Sequence, residues 1–153
     1  MKFSRSNGGS VSITPTAQAV LVAYAKGSRG PEEAGGVLLG RLLLDSDDIL
    51  IDKVTEPSPK DKRRHFTFWR GKMEHQIQVD ESWTQSNGTE TYLGEWHSHP
   101  EDDPHPSSTD VKNWRKITAR AKYEQESLFF VIVGLKKTRA WEINRKTSEL
   151  LKL

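Results

Sequence analysis

The chain contains no cysteine among its 153 residues. That one absence removes disulfides, cysteine-ligated zinc, iron–sulfur clusters and thiol nucleophiles together, so any metal must be held by His, Asp or Glu. Long apolar runs are missing as well. The longest, Val37 to Leu39 with Leu42 to Leu44, and Leu128 to Leu135, fall far short of the roughly 18 apolar residues that a membrane span needs. Residues 1–10 carry Lys2 and Arg5 but no apolar stretch behind them, which is not the pattern of a secretory signal. A cytoplasmic protein with no membrane partner is expected. Hydrophobic residues make up only 34% of the chain, yet five Trp, five Phe and three Tyr supply apolar bodies that a disordered chain would lack. The length suits one compact domain over 1–153, with 1–10 expected to be flexible.

A net charge of +2 hides an asymmetry. Residues 1–110 hold 12 basic and 17 acidic side chains, whereas residues 111–153 hold 11 basic and 4 acidic. The basic last third suits a solvated helix face and tail, and also an acidic partner.

Read for periodicity, Val11 to Ile13 is a short strand. Thr14-Pro15 reads as a helix N-cap with proline in the first turn, opening a helix over 16–25. The apolar segment Gly35 to Leu44 and the segment Ile49 to Val54 form a hairpin in the centre of a sheet. Pro57 to Arg64, with two prolines and four basic residues, reads as an exposed loop. A helix over 71–82, a turn at Ser86-Asn87-Gly88, a strand over 91–99, a helix over 108–122, and strands over 128–134 and 139–143 follow. The alternation predicts an α/β fold, more narrowly an α+β mixed sheet flanked by helices around one centre.

His97 and His99 sit two residues apart on a predicted strand and therefore project from one face, within reach of a single ion. After a loop stiffened by Pro100, Pro104 and Pro106, Ser107 and Asp110 have the spacing of a capping pair, and a capped helix start presents Asp110 rigidly toward the histidines. Two imidazoles and one carboxylate leave one position of a tetrahedral Zn²⁺ for water. Glu33 and Glu95 are both candidate general bases, and spacing does not choose between them. Trp96, between Glu95 and His97, should face the other way and pack beneath the site. His65, His75 and His105 read as ordinary surface, boundary or loop residues.

These residues resemble the JAB/MPN metallopeptidases, whose JAMM motif is a distant Glu, then His-x-His, seven residues, Ser, two residues, Asp. His97-Ser98-His99 with Ser107 and Asp110 meets that spacing, and Glu33-Ala34-Gly35-Gly36-Val37-Leu38-Leu39-Gly40 resembles the family's Glu-containing entry to a strand. The resemblance implies a single JAB/MPN-like domain in which His97, His99 and Asp110 bind Zn²⁺ and Glu33 is the base. It further implies that Ser107 stabilises the oxyanion, leaving Glu95 to face substrate. Lys60, Arg63 and Arg64 could grip an acidic partner.

Tyr92 to Pro100, with Pro104, Pro106, Trp114 and Thr55 to Asp61, resembles more narrowly the stand-alone JAB isopeptidases of bacterial CBASS antiphage operons. That likeness implies a ubiquitin-like conjugate, or the C-terminal tail of a cyclic-oligonucleotide synthase (a cGAS-like CD-NTase), as substrate, and an E1-E2-like conjugating protein as partner. With 17 residues between Asp110 and Leu128, there is no room for the substrate-gripping insertion of eukaryotic ubiquitin-specific members. Rival readings are a RadC-like JAB protein acting on DNA, a non-haem Fe(II) site built from the same ligands, and a catalytically silent MPN interaction module. RadC proteins resemble one another in an N-terminal helix-hairpin-helix region for which this chain is too short, and no nucleic-acid partner is expected.

Overall fold

The structure is a computed structural model, and it describes all residues except 28–31, 59–61, 65–66 and 70–71; for 62–64, 67–69 and 72–73 it describes the backbone alone. Ten strands and three helices follow one another along the described residues. They are β1 (Lys2–Ser4), β2 (Ser10–Ile13), α1 (Pro15–Ala25), β3 (Gly35–Leu42), β4 (Ile49–Val54), β5 (Lys62–Arg64), β6 (Thr67–Trp69), α2 (Lys72–Gln85), β7 (Thr91–Ser98), α3 (Ser108–Arg120), β8 (Ser127–Val133), β9 (Thr138–Asn144) and β10 (Leu150–Lys152).

Eight strands form one mixed sheet in the order β1-β2-β4-β3-β7-β8-β9-β10, parallel at β2–β4 and β7–β8 and antiparallel elsewhere. The β3–β4 hairpin lies in the middle of the sheet, as the apolar runs predict. Strand β8 is buried along its whole length, because its two faces serve two cores. Phe129, Val131 and Val133 pack toward α1 with Leu21, Tyr24, Leu38, Ile51 and Trp96, while Leu128, Phe130 and Ile132 pack toward Trp114 of α3. Helices therefore cover opposite faces of the sheet, as expected for a mixed sheet flanked by helices.

Local chemistry fixes the helix starts. The Thr14 hydroxyl accepts the Ala17 amide at 3.3 Å with Pro15 in the first turn, which is the cap read from the sequence. On α3, Trp114 stacks on Phe130 with centroids 4.8 Å apart and lies 5.5 Å from Trp141. Among the described residues no helix is long and apolar enough to cross a membrane.

Several expectations are corrected. The segment 1–10 holds a strand: β1 pairs with β2 in register Phe3↔Val11, and Arg5 reaches across to Glu142 of β9 at 2.7 Å and 3.1 Å. Of the run read as an exposed loop over Pro57 to Arg64, Lys62–Arg64 is strand β5, paired with β6; Lys60 lies outside the described residues. His75 is fully buried rather than at the surface, its Nδ1 against the Thr55 hydroxyl; His65 lies outside the described residues.

Both members of the Arg5–Glu142 pair are about nine-tenths buried. Burial pushes the Glu142 carboxyl up, but the Arg5 guanidinium and the Ser127 hydroxyl together outweigh it and hold the group below its ordinary value. A carboxylate so depressed stabilises the fold above its unfolded value of about 4.3, and that contribution is lost as pH falls through the folded value. Arg5→Ala is expected to destabilise the chain by about 3 kcal/mol at neutral pH, and by clearly less at pH 3. Urea unfolding at both pH values checks this, and an equal loss at both would contradict the pairing.

Candidate metal centre

Strand β7 supplies His97 and, one residue past its end, His99, and its shape depends on a glycine. The register between β3 and β7 slips after Leu38↔Gly94, so that Leu39 pairs with Tyr92. Gly94 takes φ +141°, and a Cβ there would lie 1.8 Å from the Phe129 carbonyl oxygen. Only glycine tolerates both conditions. Beyond this bulge Trp96 points into the α1 core, where its Nε1 donates to the Thr55 carbonyl at 3.0 Å. Its neighbours Glu95 and His97 turn to the α3 face, where the His97 ring lies 6.0 Å from Trp114. The expected packing of Trp96 beneath the site is what the structure has.

At the C-terminal end of β7, His97 Nε2 and His99 Nε2 approach to 3.0 Å. Asp110 faces both, its Oδ1 3.4 Å from His97 and its Oδ2 3.3 Å from His99. One ligand atom from each residue lies within 4.8 Å of the others, so the described residues bring three metal-capable side chains to one point. Two neutral imidazoles and a carboxylate are donors suited to zinc, and no cysteine competes for the ion. Burial would raise the Asp110 carboxyl, but His97 and His99 hold it far below the usual carboxylate range. For His99 burial lowers the value and Asp110 together with Glu33 and Glu101 raises it, with a net rise.

Asp110 owes its aim to the helix start. Ser107 is the N-cap of α3: its hydroxyl accepts the Asp110 amide at 3.1 Å, while the Asp110 carboxylate accepts the Ser107 amide at 2.7 Å. The capping pair and the carboxylate that faces the two histidines are one device. Ser107→Ala is expected to cost about 1 kcal/mol of stability and to weaken zinc binding by about 10-fold, because the carboxylate loses its support. Thermal unfolding and competition with a zinc-chelating dye measure the two losses. An unchanged melting temperature and zinc affinity would mean that the cap does neither.

Glu33 is brought in by the sheet. Gly35 pairs with His97, the Ala34 amide donates to the Ser98 hydroxyl at 3.0 Å, and the Ser98 amide donates to the Ala34 carbonyl at 2.8 Å. Glu33, one residue earlier, is 5% exposed and within the electrostatic reach of His99 and Asp110. Burial pushes its carboxyl up to about 7; His99 opposes this, while Asp110 and Glu101 add to it. Glu95, the other candidate base, lies two residues inward on β7, half-buried, and is not one of the three converging groups. Arg63 and Arg64 lie on β5, and Lys60 lies outside the described residues.

Sequence reasoning missed the groups that hold the intervening loop. Glu101 stands 3.7 Å from His99 Nδ1, on the side of the ring away from the cluster. At that distance no hydrogen bond forms: the Glu101 carboxylate acts on the ring through its charge and accepts the His105 amide at 3.2 Å. The loop is tied to the β8–β9 turn: Leu135 and Lys137 amides donate to the Glu101 and Asp102 carbonyls at 2.7 Å and 2.9 Å, and Arg139 grips Asp103 through two 2.7 Å hydrogen bonds. Acidic 101–103 facing basic 136–139 was the available signal. His105 is exposed in this loop, as read from the sequence.

Several known proteins are similar to this chain. A protein from Pseudomonas aeruginosa named CD-NTase/cGAS isopeptidase is 41% identical over 102 residues, covering 67% of this chain and 63% of its own length. One of the same name from Vibrio cholerae is 36% identical over 131 residues, 86% of this chain and 78% of the relative. An Escherichia coli protein, also so named, is 38% identical over 104 residues, 68% and 63% of the two chains. The chain thus spans about 63% of the Pseudomonas and Escherichia relatives. Solution structures of proteins from Desulfitobacterium hafniense (TM-score 0.66, 21% identity, 94% of this chain and 89% of that one) and Salinibacter ruber (0.55, 20%, 92% and 87%) share the fold. The profile of prokaryotic homologues of the JAB domain matches residues 16–144, and the chain belongs to that family.

Proposed function

We propose that this chain is a zinc-dependent isopeptidase of the JAMM type that removes conjugates from the C-terminus of a CD-NTase in a bacterial CBASS antiphage system. The observation that carries the reading is the convergence of His97, His99 and Asp110 with Glu33 buried at the neighbouring strand entry. The names of the relatives supply the substrate class.

His97 Nε2, His99 Nε2 and an Asp110 oxygen would hold the ion. Zinc bound there supplies Lewis acidity and lowers the pKa of water to about 7. Glu33, with a carboxyl raised to about 7, takes a proton from the attacking water and later delivers it to the leaving lysine amine. The carbon–nitrogen bond of the isopeptide breaks as the carbon–oxygen bond forms, giving a free carboxylate and a free amine. The Ser107 oxygen already accepts the Asp110 amide, so its hydroxyl proton can donate to the oxyanion that develops on the scissile carbonyl. Glu95 faces the substrate from β7, and the basic β5 residues Arg63 and Arg64, with Lys60, meet the partner. On this reading the conjugate is made by an E1-E2-like protein of the same operon, in the cytoplasm.

The test is incubation with a CD-NTase joined through its C-terminus to a lysine of a second protein, followed by mass spectrometry of the released ends. An intact CD-NTase C-terminus is expected with the native chain and not with Glu33→Ala. Failure on every conjugate with cleavage of DNA would favour the RadC-like reading, and a zinc-loaded chain that cuts neither would be a silent MPN module.

A further inference from the structure

Outside the metal centre the most unusual surface is helix α3. Lys112, Arg115, Lys116 and Arg120 are all exposed, and at about 100° per residue they fall within an arc of about 140°. Trp114 and Thr118 occupy the opposite, buried side. After Asp110 the helix has no acidic residue. The cations of the following segment are committed: Lys136 to Asp102, Lys137 and Arg139 to Asp103, Lys146 to Glu126. Among the described residues no ion pair involves the four on α3. A ridge of four unneutralised charges therefore begins within one turn of a metal-facing residue and runs about 12 Å along the helix.

The ridge ends at a groove of about 1080 Å³ in which Lys122 and Tyr123 face Leu42, Leu43, Leu44 and Trp83. Leu44 is 92% exposed and Trp83 50%. The groove is remote from the chemistry: β3 starts beside His97 at Gly35 and reaches the groove at Leu42, about 23 Å away. The lining sets Arg41, Lys122 and Arg145 against one acid, Glu124, and Arg41 is paired with Asp52; with the cations of α3 leading into it, this apolar groove matches a partner with apolar contacts inside an acidic border. A phosphate backbone would leave the exposed leucines without a role.

We infer that the exposed face of α3 and the groove at its far end form one docking surface for the folded, acidic body of the protein whose conjugated tail enters the metal centre. The inference rests on the isopeptidase reading for the direction of the tail. The surface supplies affinity for the intact protein, while the cleft handles only the junction.

The experiment measures binding, so that it stands apart from turnover. In the Glu33→Ala chain, loaded with zinc, dissociation constants are measured for the CD-NTase conjugate and for its C-terminal tail alone as an isopeptide-linked short peptide. Adding Lys112→Glu, Lys116→Glu and Arg120→Glu is expected to weaken the conjugate at least about 10-fold more than the peptide. Leu44→Asp, at a side chain that packs on almost nothing, is expected to act in the same direction. Should the triple variant fail to fold, raising salt from 50 to 300 mM replaces it and is expected to weaken the conjugate more than the peptide. Equal weakening of conjugate and peptide, or a DNA duplex bound more tightly than the conjugate through the same three residues, overturns the inference. If the native chain cuts neither substrate, the isopeptidase reading fails, while the binding result still decides the docking surface.

Discussion

Purified without chelator, the chain is expected to carry about one Zn²⁺ per molecule, and His97→Ala and Asp110→Asn are each expected to remove nearly all of it. The argument is geometric. Two Nε2 atoms 3.0 Å apart, with carboxylate oxygens at 3.3 Å and 3.4 Å, aim three Lewis bases at one point. Asp110→Asn is the sharper variant, because the amide oxygen can still accept the Ser107 amide and the helix cap survives. His97→Ala also strips a nearly buried ring from beside Trp114 and so loosens packing. Elemental analysis reads the stoichiometry, and thermal unfolding with and without added zinc gives a second measure. A ligand present at 100 times its dissociation constant stabilises by about 2.7 kcal/mol. That shift is expected in the native chain and is expected to vanish in both variants. Iron in place of zinc would move the chemistry toward the oxygenase ligand set. A native chain without metal, or full zinc in His97→Ala, would overturn the site.

The site was legible in the sequence to the degree that it depends on local periodicity. A strand repeats every two residues, which fixes His97 and His99, and a capping pair repeats every three, which fixes Ser107 and Asp110. Glu33 was not legible from spacing, since its approach is set by the Gly35↔His97 pairing between strands 62 residues apart in sequence. Only the family resemblance separated it from Glu95. The three-residue strands β1 and β10 carry no alternation to read; their place at the sheet edges follows from pairing with β2 and β9. Charge misled at Lys62–Arg64, where the ladder to β6 uses the backbone and needs no apolar side chain. It misled again at His75, which a polar helix buries because the Thr55 hydroxyl provides a partner. The basic last third proved to be two populations: residues 136–146 tie down the loop 101–103 and a neighbouring turn, and those on α3 remain in solvent.

Glu33→Ala is expected to lower kcat by about 10²- to 10⁴-fold, the usual contribution of a general base, while zinc content and melting temperature stay close to native. The carboxylate sits beside the three converging groups without being one of them, so its loss is expected to remove proton transfer and leave metal binding intact. Its burial supports the role. A carboxyl raised to about 7 binds and releases a proton near neutral pH, which an exposed glutamate near 4.3 would do poorly in the second direction. Glu33→Gln separates chemistry from packing, because it keeps the side chain's size at this 5% exposed position and removes only the proton-accepting oxygen. Both variants are expected to fall equally in kcat with little change in KM, as for an interaction made in the transition state alone. Glu95→Ala, two residues inward from His97, is expected to act on KM instead, through contact with the substrate. The discriminating result is the comparison of the two on one conjugate. Loss of turnover in Glu95→Ala with retention in Glu33→Gln would transfer the base to β7, and with it the proton path from water to the leaving amine.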